Sequence, residues 1–182
     1  EMKLGGVNAT QMKEEGKTVA DLFVVYSVAE LLAANYTLTE MKNDGITATQ
    51  LKTEGKIVAE LLDVYTVAEL LAANYTLDEM AVGGVTATRL KAEGKTASDL
   101  KDNYTSAELL VALFTITELN EAGITIEQLN AAGLDVTNLN DTYTFNELLT
   151  QFPIPVLKSG GVDARQLKIA GKSISELETD FT

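Results

Sequence analysis

The sequence predicts an all-α solenoid of about eighteen short helices, built from repeats of nine or ten residues. Three observations carry that expectation. The stretch 27–56 returns as 66–95, shifted by 39 residues, and the two copies agree at 22 of 30 positions. A Leu or Met recurs at steps of nine or ten along the whole chain: Met2, Met12, Leu22, Leu31, Met41, Leu51, Leu61, Leu70, Met80, Leu90, Leu100, Leu109, Leu119, Leu129, Leu139, Leu148, Leu157, Leu167 and Leu177. Finally, the residue opening each repeat is nearly always Thr, Ser, Asp or Asn, the side chains that cap helix N-termini.

The anchors sum to a 39-residue block of four repeats, which suggests a four-sided superhelix with one block per turn. The blocks run 8–46, 47–85, 86–124 and 125–162, with a partial block at 163–182, and 1–7 reads as the tail of an earlier repeat. The whole of 1–182 is expected to form one repeat domain.

Within a repeat, each position has a physical role. The capping residue at position 1 is followed at position 4, in most repeats, by Glu, Asp, Gln or Asn, which completes a reciprocal capping box, as in Thr66–Glu69 and Thr115–Glu118. The apolar residue at position 2 and the Leu or Met at position 5 lie three apart and share a helix face. Gly at position 9 (Gly16, Gly55, Gly94, Gly123, Gly133, Gly171) suits a left-handed C-cap. Elsewhere Tyr or Phe ends one helix and the next Thr opens another. A helix of this length is unstable alone, because nucleation outweighs two turns of hydrogen bonds, so each must lean on its neighbours. Two longer helices per block would bury Gly94 and Gly133 inside a helix at about 1 kcal/mol each. Pro153 and Pro155 open one repeat of the fourth block, and Ile154, preceding a proline, is expected to delay the start of that helix.

The 182 residues contain no His, Cys or Trp. Without His and Cys the commonest general base, the usual zinc ligands and the thiol nucleophile are missing, so no catalytic residue, no cofactor and no metal site is expected. Carboxylates alone could serve a glycosidase, but here they are spread along the repeats instead of converging. The net charge of −13 argues against nucleic acid. Twelve acids stand at position 4, so much of that charge comes from building helix N-termini, where negative charge is stabilising. No apolar run is long enough to insert in a membrane, and Glu1-Met2-Lys3 ahead of Leu4-Gly5-Gly6 shows no signal-peptide pattern. Five N-x-T sequons, at Asn8, Asn35, Asn74, Asn103 and Asn140, arise from a helix-ending Asn beside a capping Thr without invoking a glycan.

The repeats of a block differ chemically. The first carries lysines, Lys13, Lys17, Lys52, Lys56, Lys91 and Lys95 (and again Lys168 and Lys172), which would stack into a basic stripe for an acidic partner or form a solvated edge. The third carries Leu32, Leu71, Leu110 and Leu149, which would be core or an apolar docking strip. Tyr26, Tyr65, Tyr104 and Tyr143 recur every 39 residues, as do Tyr36, Tyr75, Phe114 and Phe152. Such a ladder at helix ends is either packing with a wet hydroxyl or a platform for carbohydrate or peptide. The decad, seen best at 115–133 (TITELNEAGITIEQLNAAG), resembles the short T-x-x-E-L-x-x-A-G tandem repeats of uncharacterised microbial and algal proteins. The resemblance covers essentially the whole chain and implies architecture and tandem arrangement only.

The function expected is a non-catalytic scaffold that binds a protein partner. The alternative is a spacer, stalk or fibre element that self-associates along its rod axis, in keeping with a pattern that begins and ends mid-repeat.

Overall fold

The computed structural model describes residues 6–169 and 171; the anchors Met2 and Leu177, Lys172, the side chain of Leu167 and the last repeat lie outside the described residues. Within that range the chain is helical, with seventeen short helices and no strand. Contacts divide it into two compact units, Glu1–Glu93 and Gly94–Thr182.

The N-terminal unit holds α1 (Ala9–Glu14), α2 (Val19–Leu22), α3 (Val28–Ala33), α4 (Leu38–Asn43), α5 (Ala48–Thr53), α6 (Val58–Leu61), α7 (Val67–Ala72), α8 (Leu77–Val82) and α9 (Ala87–Ala92). The C-terminal unit holds α10 (Ala97–Leu100), α11 (Ser106–Val111), α12 (Ile116–Glu121), α13 (Ile126–Ala131), α14 (Val136–Leu139), α15 (Phe145–Gln151), α16 (Ile154–Ser159) and α17 (Ala164–Ile169). Each begins at position 2 of a repeat, as the caps require. Ten position-4 acids, from Asp21 to Glu147, accept the N–H of their own capping residue. Ile57 has no hydroxyl, so at α6 only that return bond, from Ile57 N–H to Glu60 at 3.0 Å, is made.

The Leu and Met anchors are the core. From Leu22 to Leu157 every one is at most 1% exposed, with Val19, Val28, Val58, Val67, Ile126 and Val136 among the position-2 residues buried beside them. Gly at position 9 takes positive φ, between 79° and 98° at Gly16, Gly55, Gly94, Gly123, Gly133 and Gly171, and Asn35, Asn74 and Leu113 fill the same left-handed role at 61°, 60° and 62°. The proline repeat starts on register, not late. Pro153 is the N-cap of α16 and Pro155 sits in its first turn, where a missing N–H removes no helical bond.

The expected short-helix solenoid is what the chain forms, and its contacts set a shorter step than one block. Helices pack on the second helix along: α1 on α3, α5 on α7 and α6 on α8 in one unit, α10 on α12, α11 on α13 and α13 on α15 in the other. Tyrosine hydroxyls make the same step, each donating to a carbonyl 19 residues earlier: Tyr26 to Val7, Tyr65 to Ile46 and Tyr143 to Ile124, at 2.8, 2.7 and 3.1 Å. Two repeats bring the backbone back beside itself, so a 39-residue block covers two such steps. The four-repeat turn is corrected accordingly: 39 is the period of the side-chain chemistry, while helices this short close a lap in half of it.

Two places show how closely the laps approach. A methyl group on Gly83 would fall 2.5 Å from the Val58 side chain, and one on Gly160 2.6 Å from Val136. At the place equivalent to Gly83 the chain has Asp44, whose carboxylate accepts the N–H of Ala20 at 3.0 Å and so caps α2 from the neighbouring lap.

Candidate functional site

A groove recurs between laps wherever the end of one helix and the start of the next face the same junction two repeats on. In the N-terminal unit two copies, 39 residues apart, are lined by Lys13, Lys17, Tyr36, Glu40 and Asp44, and by Lys52, Lys56, Tyr75, Glu79 and Gly83. The repeat supplies every part. Position 6 projects a side chain across the lap, position 10 provides an aromatic floor, and the position-4 acid of the following helix closes the far side.

Lysine at position 6 lines this groove. The Lys52 ammonium donates to the Asn74 carbonyl at 2.7 Å and to Glu79 at 2.9 Å, and stands 4.2 Å from the centre of the Tyr75 ring. Lys13 repeats the arrangement with the Asn35 carbonyl, Glu40 and Tyr36, and Lys42 with the Val64 carbonyl, Glu69 and Tyr65. One ammonium thereby satisfies a helix-end carbonyl, a carboxylate and a ring face. Its effect reaches the titrating groups. Glu69 is held below the usual carboxylate range first by the Lys42 hydrogen bond and then by the Thr66 N–H. For Glu79 the Thr76 N–H comes first and Lys52 second. Burial, with Glu69 beside it, pushes the Tyr65 hydroxyl up to about 12.

The six lysines of the expected basic stripe are therefore placed as follows. Lys13 and Lys52 are clips within the fold, and the Lys56 ammonium is on Glu60 at 2.6 Å. Lys17 is exposed, while Lys91 and Lys95 are half-buried. The expected apolar strip, Leu32, Leu71, Leu110 and Leu149, is half-buried throughout. It is flanked in the C-terminal unit by exposed Val111 and Leu113, at 75% and 80%. The aromatic ladder is packing, with Tyr26, Tyr36, Tyr65, Tyr75, Tyr104, Phe114, Tyr143 and Phe152 all buried. The hydroxyls of Tyr26, Tyr65 and Tyr143 are bonded to backbone instead of being wet.

Sequence reasoning missed the clip and so missed Lys42, which lies outside the first repeat of its block. A signal was present: Lys13 and Glu40, Lys42 and Glu69, and Lys52 and Glu79 are each 27 residues apart, position 6 to position 4 three repeats on. In the C-terminal unit Lys101 reaches the Ala122 carbonyl at 2.7 Å, but Gln128 replaces the acid and Ile124 the ring in its groove. Beyond it position 6 is Leu110, Asn120, Asn130, Asn140 and Leu149, before lysine returns at Lys158 and Lys168.

Among the described residues no group of three or more His, Cys, Asp or Glu is placed to hold a metal, and no helix is long and apolar enough to cross a membrane. No family model, curated protein or solved structure matches the chain.

Proposed function

We propose that the chain is a non-catalytic helical-repeat scaffold that holds a protein partner on its side. The observation carrying this reading is the apolar patch where α11 ends. Leu110 is half-buried there, and Val111 and Leu113 stand 75% and 80% exposed. The equivalent positions in the N-terminal unit are Ala33 and Asn35, then Ala72 and Asn74. Small and polar residues serve the fold equally well at those places, and Leu113 at φ 62° costs backbone energy that Asn or Gly avoids. A fold alone gives no reason to put large apolar side chains there, whereas an apolar partner surface does. The ten carboxylates committed to helix caps support the non-catalytic part, since each is already spent on its own N-terminus.

The test compares the chain with a Val111→Lys, Leu113→Asn variant whose helical circular dichroism is unchanged. Immobilised wild type is expected to retain a discrete protein that the variant releases. Equal retention by both would overturn the reading. Concentration-dependent self-association with no second protein would support the spacer or stalk reading instead.

A further inference from the structure

We infer that the groove at Asn120 in the C-terminal unit is a binding site for a primary alkylammonium group, the group that ends a lysine side chain. Residues 120, 142, 143 and 147 stand 78 positions, two blocks, after 42, 64, 65 and 69. In the earlier set the chain binds its own ammonium: Lys42 lies 2.7 Å from the Val64 carbonyl, 2.7 Å from Glu69 and 4.8 Å from the Tyr65 ring centre.

The later set keeps the receptor and loses the cation. Tyr143 is buried and anchored by its hydroxyl on Ile124, as Tyr65 is on Ile46. Glu147 accepts the Thr144 N–H at 2.7 Å, as Glu69 accepts that of Thr66 at 2.7 Å. The ring and the backbone bond to the carboxylate are thus the same in both places, while the Thr144 hydroxyl donates to Glu147 at 2.6 Å where Lys42 donates to Glu69. Asn120, short and uncharged, replaces Lys42 in a groove of about 300 Å³, comparable to the grooves at Lys13 and Lys52, lined by Asn120, Gly123, Ile124, Thr125, Tyr143 and Glu147 among others. Lys101, in the adjoining groove, has its ammonium on the Ala122 carbonyl.

The electrostatics agree with this geometry. What holds Glu147 below the usual carboxylate range is Thr144, through its hydroxyl and then its N–H, with no cation contributing as Lys42 does for Glu69. An anionic oxygen beside a buried ring whose face is electron-rich selects a compact cation. Three filled copies, at Lys13, Lys42 and Lys52, show that this frame accepts an ammonium on an alkyl stem. The site rests on the groove alone and is independent of the apolar patch at α11.

The intact chain is titrated with Nα-acetyl-lysine N-methylamide, and separately with methylammonium, while the amide signals of Thr144 and Glu147 and the ring signals of Tyr143 are followed by NMR. Saturable shifts in the wild type are expected, with a dissociation constant on the order of millimolar for a single held group. Asn120→Lys supplies the ammonium from within, as Lys42 does, and is expected to weaken the response by roughly tenfold or more without disturbing the fold. Shifts with both probes support a site that reads the ammonium. Shifts with the lysine derivative only support one that also reads the stem. No saturable shift in the wild type, or an equal response in Asn120→Lys, overturns the inference.

Discussion

Lys42 and Asn120 occupy the same place in two compact units, and around them nearly everything is the same. The anchors Leu70 and Leu148 are buried, the helices are capped by Thr66–Glu69 and Thr144–Glu147, and the tyrosine hydroxyl reaches two repeats back. Only the cation is gone. The difference teaches that the fold is built from leucines, caps and the tyrosine link, while the lysine clip is an addition laid over a receptor that exists without it. The contrast at Asn74 and Leu113 runs the same way: the N-terminal unit fills its left-handed turn with a residue that tolerates it, and the C-terminal unit does not.

If the shared part carries the stability, Leu70→Ala and Leu129→Ala must cost about the same, each about 2–5 kcal/mol, because both remove a fully buried side chain and leave a cavity. Urea unfolding read by hydrogen exchange in each unit measures this. A loss well under 1 kcal/mol in one unit alone would mean that the two do not share a core design.

The cation itself is a smaller matter. Lys42→Asn is expected to destabilise by about 0.5–1 kcal/mol, since the Lys42 and Glu69 side chains are 29% and 42% exposed and water screens the pair, and Asn120→Lys is expected to act in the opposite direction. The pH dependence follows from the sign of the shift. Glu69 has a folded value below its ordinary 4.5, so its contribution is present above about pH 4.5 and is lost as the pH falls through the lower folded value. The gap between wild type and Lys42→Asn should therefore close in that acid range in denaturation curves, and narrow in high salt. A gap that persists at the acid end would sink the ion-pair account.

The turn is of the same small order. Leu113→Asn should gain about 0.5–1 kcal/mol in thermal or urea unfolding, because Asn adopts φ 62° at lower cost and a large exposed apolar side chain is removed. No gain would mean that packing of the Leu113 side chain offsets its backbone strain.

Much of this was legible beforehand. Capping residues, buried leucines and left-handed glycines are local, and a repeat states local rules many times over; Thr66–Glu69 announces its helix without reference to anything distant. The step between laps was not legible. Lysines 39 residues apart, such as Lys13 and Lys52, advertise a period of chemistry, whereas the contact Lys13 makes is with Tyr36, in the lap beside it. Distance along the chain at which backbones meet is set by helix length and turn angle, and neither leaves a residue-type signature. The same gap hid the fate of the lysines, since a basic residue at a helix surface looks alike whether its ammonium faces water or a carbonyl. Pro155 misled for the opposite reason. Its restriction on Ile154 suggests a late start, but with Pro153 as the N-cap it falls in the first turn, where no helical N–H is needed.

The tyrosine link also bears on how the chain comes to be folded. Within each unit the tyrosine and lysine side-chain bonds that cross between laps join residues 19 to 27 apart, so the typical closure is about a tenth of the chain length. Little loop entropy is lost before the first contact forms, and any pair of adjacent laps can serve as a starting point from which order spreads in both directions. Such a chain is expected to acquire structure quickly for its size, on the fast side of what mixed or all-β domains achieve, and to lose it lap by lap instead of all at once.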